Sequence, residues 1–404
     1  MQADETIKPD LHPEELARLQ AFHLAVWRGE AGGQIPVLCH PAESVIFRSS
    51  GLSWPKILTD MDSMLDFALH TVHFHLKVKD DFLPVVRPEY GMYAIASALG
   101  VDFSRLLDNP RVHIQPVLSR ADMEELEKPD VRTAGILPRL FETTEFFLRH
   151  APAGVRVGPA DFQSPYNTAY YLRGDDLLLD FYDCPELVHR LLDVVTDTYI
   201  EAARIQNALL PENELWAPYR GTTGLFSARL TQCHLQLISA DMYRKFVLPY
   251  DSRIAEELGP VHIHLCGQSL HLIDALLAIP DMVGFEYDFH EIPTAAVAPK
   301  IADRAVQLRQ GAVATDYTGN PRKDLLQKAK VATVEELLAR ELDHPGSRVI
   351  LDLINLPDVD TGRRLYRSLR TRKGGAMIEG RSPVHCRATH GRMHSHGSAR
   401  SGAA

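Results

Sequence analysis

Apolar residues recur along this chain in two rhythms. Between residues 14 and 28, Leu16, Leu19, Phe22, His23 and Val26 fall at helical spacing, and Gly29 closes the run. A short apolar run at 35–38 follows and ends in Cys39-His40-Pro41. Runs of strand length then recur at 113–118, 155–162, 215–221, 228–238, 261–267, 282–289, 306–313 and 348–356. With 35–38 these make nine candidate strands. Amphipathic stretches of helical length lie between most of them, at 185–209, 241–258, 269–279 and 331–342. The clearest unit spans 239–289. Ser239 is a good N-cap with Asp241 in the first turn, and Gly259-Pro260 ends the helix. A strand, a short helix, Pro280 and a second strand follow, which is the order of a βαβ crossover.

Strand–helix alternation with no change of style predicts an α/β fold, a single (β/α)8 TIM barrel with a helical insertion near its N-terminus. An open nucleotide-binding sheet fits less well, because no glycine-rich phosphate turn follows any of the strands. The predicted organisation is an N-terminal helical extension at 1–34 and a barrel at 35–370, with 42–110 inserted beside the barrel mouth. Residues 371–404 are rich in Arg, His, Gly, Ser and Ala, so a disordered tail is expected there.

Composition narrows the functional classes. A chain of 404 residues that is 45% hydrophobic and 24% charged has ample core for a globular domain. Its 43 basic and 53 acidic residues leave a net charge of −10, so no broad basic face for nucleic acid is implied. The five cysteines, at 39, 184, 233, 266 and 386, do not form a disulfide-framework pattern. They suit a reducing cytosol, where a placed thiol is more often a ligand or nucleophile. The acidic, polar opening MQADETIKPDLHPEEL is not that of a signal peptide, and no run reaches the roughly 18 apolar residues of a membrane span. A cytoplasmic location away from membranes is expected.

In a barrel of this kind the chemistry sits at the C-terminal ends of the strands. Those ends carry Cys39 and His40, Asp161 and Gln163, Tyr219 and Arg220, and Cys233 and His234. Later strands add His264 and Cys266, Glu286 and Asp288, and Asp352 and Asn355. The strand at 261–267 is the most informative. Alternation puts His262, His264 and Cys266 on one face and Val261, Ile263 and Leu265 on the other. The apolar set suits the helix layer, which turns the polar set into the barrel, where His264 and Cys266 are spaced to share a zinc ion. Read from spacing alone, a packed strand with satisfied histidines stands equally well beside that reading. Cys184 and Cys39 read as structural, and Asp161 reads either as a general acid or base or as a loop-fixing residue. Tyr166, Tyr170 and Tyr171 either line the mouth or pack a helix.

At these residues the chain resembles the uroporphyrinogen decarboxylase superfamily. The matching segments are GPADFQSPYNTAYYLRGDDLLLDFYDCPELVHRLL (158–192) and LISADMYRKFVLPYDSRIAEELGPVHIHLCGQS (237–269). VVRPEYGMYAIASALG (85–100) and VILDLINLPDVDTGRRLY (349–366) also fit. The resemblance implies a (β/α) barrel and one of two chemistries: cofactor-free decarboxylation of uroporphyrinogen, or zinc-dependent methyl transfer involving a corrinoid protein. True decarboxylases of the family carry an Arg-rich segment after the first strand, where this chain reads PVLCHPAESVIF. The methyltransferases use a His-x-Cys pair, matched by His264 and Cys266, and a late cysteine that the last strand, RVILDLINLP, lacks. Cys233, Glu286 or Asp352 then stands as the possible third ligand.

The expectation is thus a zinc-dependent methyltransferase or demethylase that works between a small methyl donor or acceptor and a corrinoid carried by a partner protein. Asp161 and Glu286 are its candidate acid–base residues, and Gln163, Tyr166, Tyr219 and Arg220 its candidate substrate contacts. A cofactor-free lyase, with Arg220 and Arg229 gripping carboxylates, is the first alternative. A non-catalytic tetrapyrrole- or metal-binding barrel is the second.

Overall fold

The fold is seen in a computed structural model that describes residues 11–110, 115–210, 221–222, 224–302, 304–313, 330, 332–344 and 348–372. Among the described residues eight parallel strands build it: β1 (Val37–Pro41), β2 (Val85–Val86), β3 (Arg156–Val157) and β4 (Ala228–Gln232), then β5 (Val261–Leu265), β6 (Met282–Asp288), β7 (Val306–Ala312) and β8 (Val349–Leu356). One sheet runs β1-β8-β7-β6-β5-β4, and β2 pairs with β3. The pairing of the first strand with the last, Val37 opposite Leu351 and Leu38 opposite Asp352, closes the sheet on itself. Two joints are looser than a ladder. Between β3 and β4 there is a single bridge, Gln163 to Thr231. Between β1 and β2, carboxylates stand in for strand partners: Asp81 accepts the Val37 N–H at 2.9 Å and Asp80 that of Cys39 at 2.7 Å.

Helices cover the outer face because the outward residues are apolar. Val261, Ile263 and Leu265 on β5, Phe285 on β6, and Leu351 and Leu353 on β8 are all fully buried. The N-terminal helix Pro13–Arg28 starts with a proline and two acidic residues in its first turn and stops at Gly29, in the left-handed conformation. Its last turn plugs the N-terminal end of the barrel. Trp27 packs on Phe226 and His262 at centroid distances of 5.6 and 6.1 Å. His23 bridges Thr222 and the Asp81 carbonyl. Gly284 of β6 makes room for this plug, since a Cβ there would lie 2.4 Å from His262 Nδ1 and 2.8 Å from Trp27.

Several sequence expectations are adjusted. The run at 113–118 forms no strand over 115–118, and 113–114 lie outside the described residues. So do 215–220, including Tyr219 and Arg220. The run at 228–238 leaves the sheet after Gln232, where Cys233 begins a turn. Residues 42–110 supply helices and also β2, a two-residue strand too short to leave a periodic signal. The helix expected at 241–258 contains a π-helical turn at Tyr243–Val247, because Pro249 has no N–H to return to the Lys245 carbonyl. The last helix, Val359–Arg372, runs two residues into the expected tail, and 373–404 lie outside the described residues. Among the described residues no helix is long and apolar enough to cross a membrane.

Candidate metal centre

Three strands aim polar side chains into the barrel with the period of two that a strand imposes. On β4 the inward set is Arg229 and Thr231, and the alternation carries on to Cys233 just past its end. On β5 it is His262 and His264, continuing to Cys266. Backbone pairing puts Thr231 beside His264 and His264 beside Glu286 of β6. One ligand atom each from Cys233, His264 and Cys266 therefore comes together, all within 4.8 Å of one another and half-buried at the barrel's C-terminal end. Among the described residues this is the one such convergence of His, Cys, Asp or Glu. Two sulfurs and an imidazole nitrogen are donors that zinc accepts, and three protein ligands leave one position for substrate.

Of the three candidates for a third ligand, Cys233 joins the pair. Glu286 stands behind it instead: its Oε1 lies 2.9 Å from His264 Nδ1, which leaves Nε2 as the nitrogen for an ion. Asp352 lies across the barrel, 3.0 Å from His40 Nε2 and 2.9 Å from Gln310 Nε2.

Glu286 is fully buried and surrounded by donors. Besides His264 it meets Arg229 at 2.9 Å, Gln310 at 3.0 Å and His262 at 3.3 Å. Burial works against its charge, but Arg229 and His264 overcome that and hold its carboxyl well below the usual range. Burial likewise opposes protonation of His264, and the Glu286 charge reverses this and lifts it to about 9. The hydrogen bond between the two thiols lowers Cys233 to about 5 and pushes Cys266 well up. Asp161 takes two 2.8 Å contacts from the other arm of Arg229, which holds it below its ordinary value against its burial. Neither Asp161 nor Glu286 is poised as a proton donor, so an acid role for either finds no support in their surroundings.

The other expected site residues are spread more widely. Gln163 is buried and accepts hydrogen bonds from Asn167 and Tyr171. Tyr166 is fully buried and stacked on Phe181, so it packs the helix Pro165–Arg173 rather than the mouth. Tyr170 and Tyr171 both pack on His234, next to Cys233 in the chain, at centroid distances of 4.4 and 5.3 Å. Arg229, expected in the lyase alternative as a grip for substrate carboxylates, is the hub between Asp161 and Glu286. The alternation in Ala228–Cys233 could have shown that Arg229 and Cys233 point inward together. Gln310 and Asn167 carried no such signal.

Residues 20–209, a little under half of the chain, match the model of the family described as Uroporphyrinogen decarboxylase (URO-D). Over that stretch the chain is similar to the uroporphyrinogen decarboxylase family. A methylated-thiol–coenzyme M methyltransferase of Methanosarcina mazei is 26% identical over 226 residues, 55% of either chain. A methylcobamide:CoM methyltransferase of Methanosarcina acetivorans is 23% identical over 248 residues, 58% of this chain and 66% of that one. The chain thus spans between half and two thirds of these relatives. A solved methyltransferase from Methanosarcina mazei shares the fold, with a TM-score of 0.66 at 16% identity, over 87% of this chain and 98% of that one. The superfamily match ends at residue 209, ahead of β4 and β5, so the three converging ligands lie beyond it.

Proposed function

We propose that the protein is a zinc-dependent methyltransferase or demethylase that moves a methyl group between a small substrate and a corrinoid protein, with Cys233, His264 and Cys266 as the zinc ligands. The observation that carries this reading is the convergence of the three ligand atoms at the C-terminal ends of β4 and β5. The relatives, methyltransferases by name, one of them acting on methylcobamide, support the reaction class. Bound zinc would supply a Lewis acid that lowers the pKa of a substrate thiol and keeps it nucleophilic at neutral pH.

The chain's own residues do the rest. Glu286 fixes the ring of His264 and raises its basicity as a ligand. Arg229 is shared by Glu286 and Asp161, so one guanidinium offsets part of the charge of two ionised carboxylates. Asp161 is the more accessible of the two, 19% exposed in its side chain against 0% for Glu286. In this reading it accepts a hydrogen bond or a proton from the substrate. Tyr219 and Arg220 remain proposed substrate contacts on the segment that leads into β4. The lyase alternative asks Arg229 to grip a substrate carboxylate, and that arginine is already shared by two carboxylates of the protein.

The test is elemental analysis of purified protein, wild type beside Cys233→Ser, His264→Ala and Cys266→Ser. About one zinc per chain, lost or strongly weakened in all three variants, is the expected result. Wild-type protein that stays metal-free after reconstitution with zinc would refute the proposal.

A further inference from the structure

The backbone ladder between β4 and β5 ends at Gln232 opposite Leu265, with Thr231 opposite His264. Cys233 is the first residue past that ladder. The register that fixes His264 therefore does not by itself fix the Cys233 thiol, and something else has to hold the turn. The residue placed to do so is Asn167, fully buried on the helix Pro165–Arg173. Its Oδ1 accepts the backbone N–H of Cys233 at 3.1 Å and that of His234 at 3.0 Å. The same oxygen lies 3.4 Å from His234 Nδ1. Its Nδ2 donates to Gln163 Oε1 at 2.8 Å, which settles which end of the amide faces the turn.

The surroundings keep Asn167 in place. Ser164 caps its helix, accepting the Asn167 N–H, and donates through Oγ to Gln232 Oε1 at 2.7 Å. Gln232 Nε2 in turn reaches Asp251 at 2.7 Å. The Ser164 N–H meets the Thr231 carbonyl at 3.2 Å. Thr231, Gln232, Cys233 and His234 are thus all tied to the five-residue segment 163–167. Two successive N–H groups held by one buried oxygen fix a short turn in direction as well as position, and buried N–H groups left without an acceptor are costly.

We propose that Asn167 is a positioning residue for the metal centre, holding the Cys233 turn so that its sulfur meets His264 and Cys266. The inference rests on the zinc reading above, and it assigns to the helix after β3 a part in the site that the ligands alone do not reveal.

The test uses the full-length protein with Co²⁺ as the spectroscopic probe, followed by competition for Zn²⁺ with a chromophoric chelator. The thiolate-to-cobalt charge-transfer band reports how many sulfurs are bound, which a purely structural role would not move. Asn167→Leu keeps the side chain's bulk and removes the acceptor. It is expected to weaken metal binding by about 10–100-fold and to reduce the band toward that of Cys233→Ser. Asn167→Asp keeps the acceptor and is expected to retain the wild-type band. Thr168→Val, the buried neighbour whose hydroxyl reaches the Gln163 carbonyl instead, is the packing control and should also retain it. A folded Asn167→Leu with wild-type affinity and band would overturn the inference. If the leucine variant does not fold, Asn167→Asp decides: a band reduced to that of Cys233→Ser overturns the acceptor role, and a wild-type band upholds it. Wild-type protein that takes up no cobalt overturns the zinc reading itself and the inference with it, a result distinct from failure of the variant alone.

Discussion

Glu286 shows how much of the site depends on one side chain. Its two oxygens meet Arg229, Gln310, His262 and His264, so removing its charge disturbs both the ligand and the buried cation behind it. Glu286→Gln should therefore weaken zinc by about 10–100-fold and lower stability by about 3–5 kcal/mol, as expected when a buried ion pair loses one partner. Chelator competition and urea unfolding measure the two effects. In metal-free protein the His264 pKa should also fall from about 9, because the Glu286 charge is what lifts it. An NMR titration that finds it unchanged would mean the two side chains are not in contact. At this scale the sequence was partly legible. His264 and Cys266 could be read from alternation on an apolar-backed strand, and the same rule applied to Ala228–Cys233 turns Arg229 and Cys233 inward. Asn167 and Gln310 are single amides whose importance comes from partners 66–67 and 24–42 positions away in the chain, a separation that no local pattern records.

The elements were legible wherever they were long. Strands β4 to β8 and the helix Pro185–Leu209 follow the apolar runs closely, because their buried faces are continuous. The short strands β2 and β3 are two residues each; β3 falls inside the apolar run at 155–162, whereas only the pairing with β3 makes Val85–Val86 a strand. The helix after β4 hides a further feature. Asp251 is completely buried there, accepting from Gln232 and from the Tyr243 hydroxyl at 2.8 Å. Burial raises its pKa to about 7, with the Tyr243 hydrogen bond pulling the other way. The folded state thus binds this proton more tightly than the unfolded chain, whose carboxyl titrates near its ordinary value of about 4. Its contribution is fully present below about pH 4 and is lost as pH rises through about 7. Asp251→Asn cannot ionise. Relative to wild type, the variant should become more stable between pH 5.5 and pH 8, as read from urea midpoints at both values. A stability difference that does not change with pH would show that Asp251 is ionised throughout.

At the scale of the whole molecule, two devices complete the barrel, the β1–β8 pairing and the N-terminal plug, and they share Asp81. Its side chain accepts the Val37 N–H of β1 and also meets Tyr366 and Arg370 of the last helix, while its carbonyl meets His23 of the plug. The first helix, the first strand and the last helix therefore meet at one residue. The barrel itself was legible from strand–helix alternation, but this knot was not, because its members come from opposite ends of the chain. His23 makes it sensitive to acid. Burial lowers its pKa from 6.5 to about 4, with the Asp81 carbonyl bond opposing the shift. A depressed histidine favours the folded state above about 6.5, and that contribution is lost as pH falls toward 4, because the unfolded chain takes up the proton first. Asp251 acts in the opposite sense over an overlapping range, so the net pH profile of the wild type cannot isolate either group. A difference measurement can. His23→Gln cannot charge, and the stability of wild type relative to this variant should decline steadily from pH 7 to pH 4.5 in thermal melts. A constant difference across that range would place His23 in contact with water, and the plug would then not be closed as the Trp27, Phe226 and His262 packing requires.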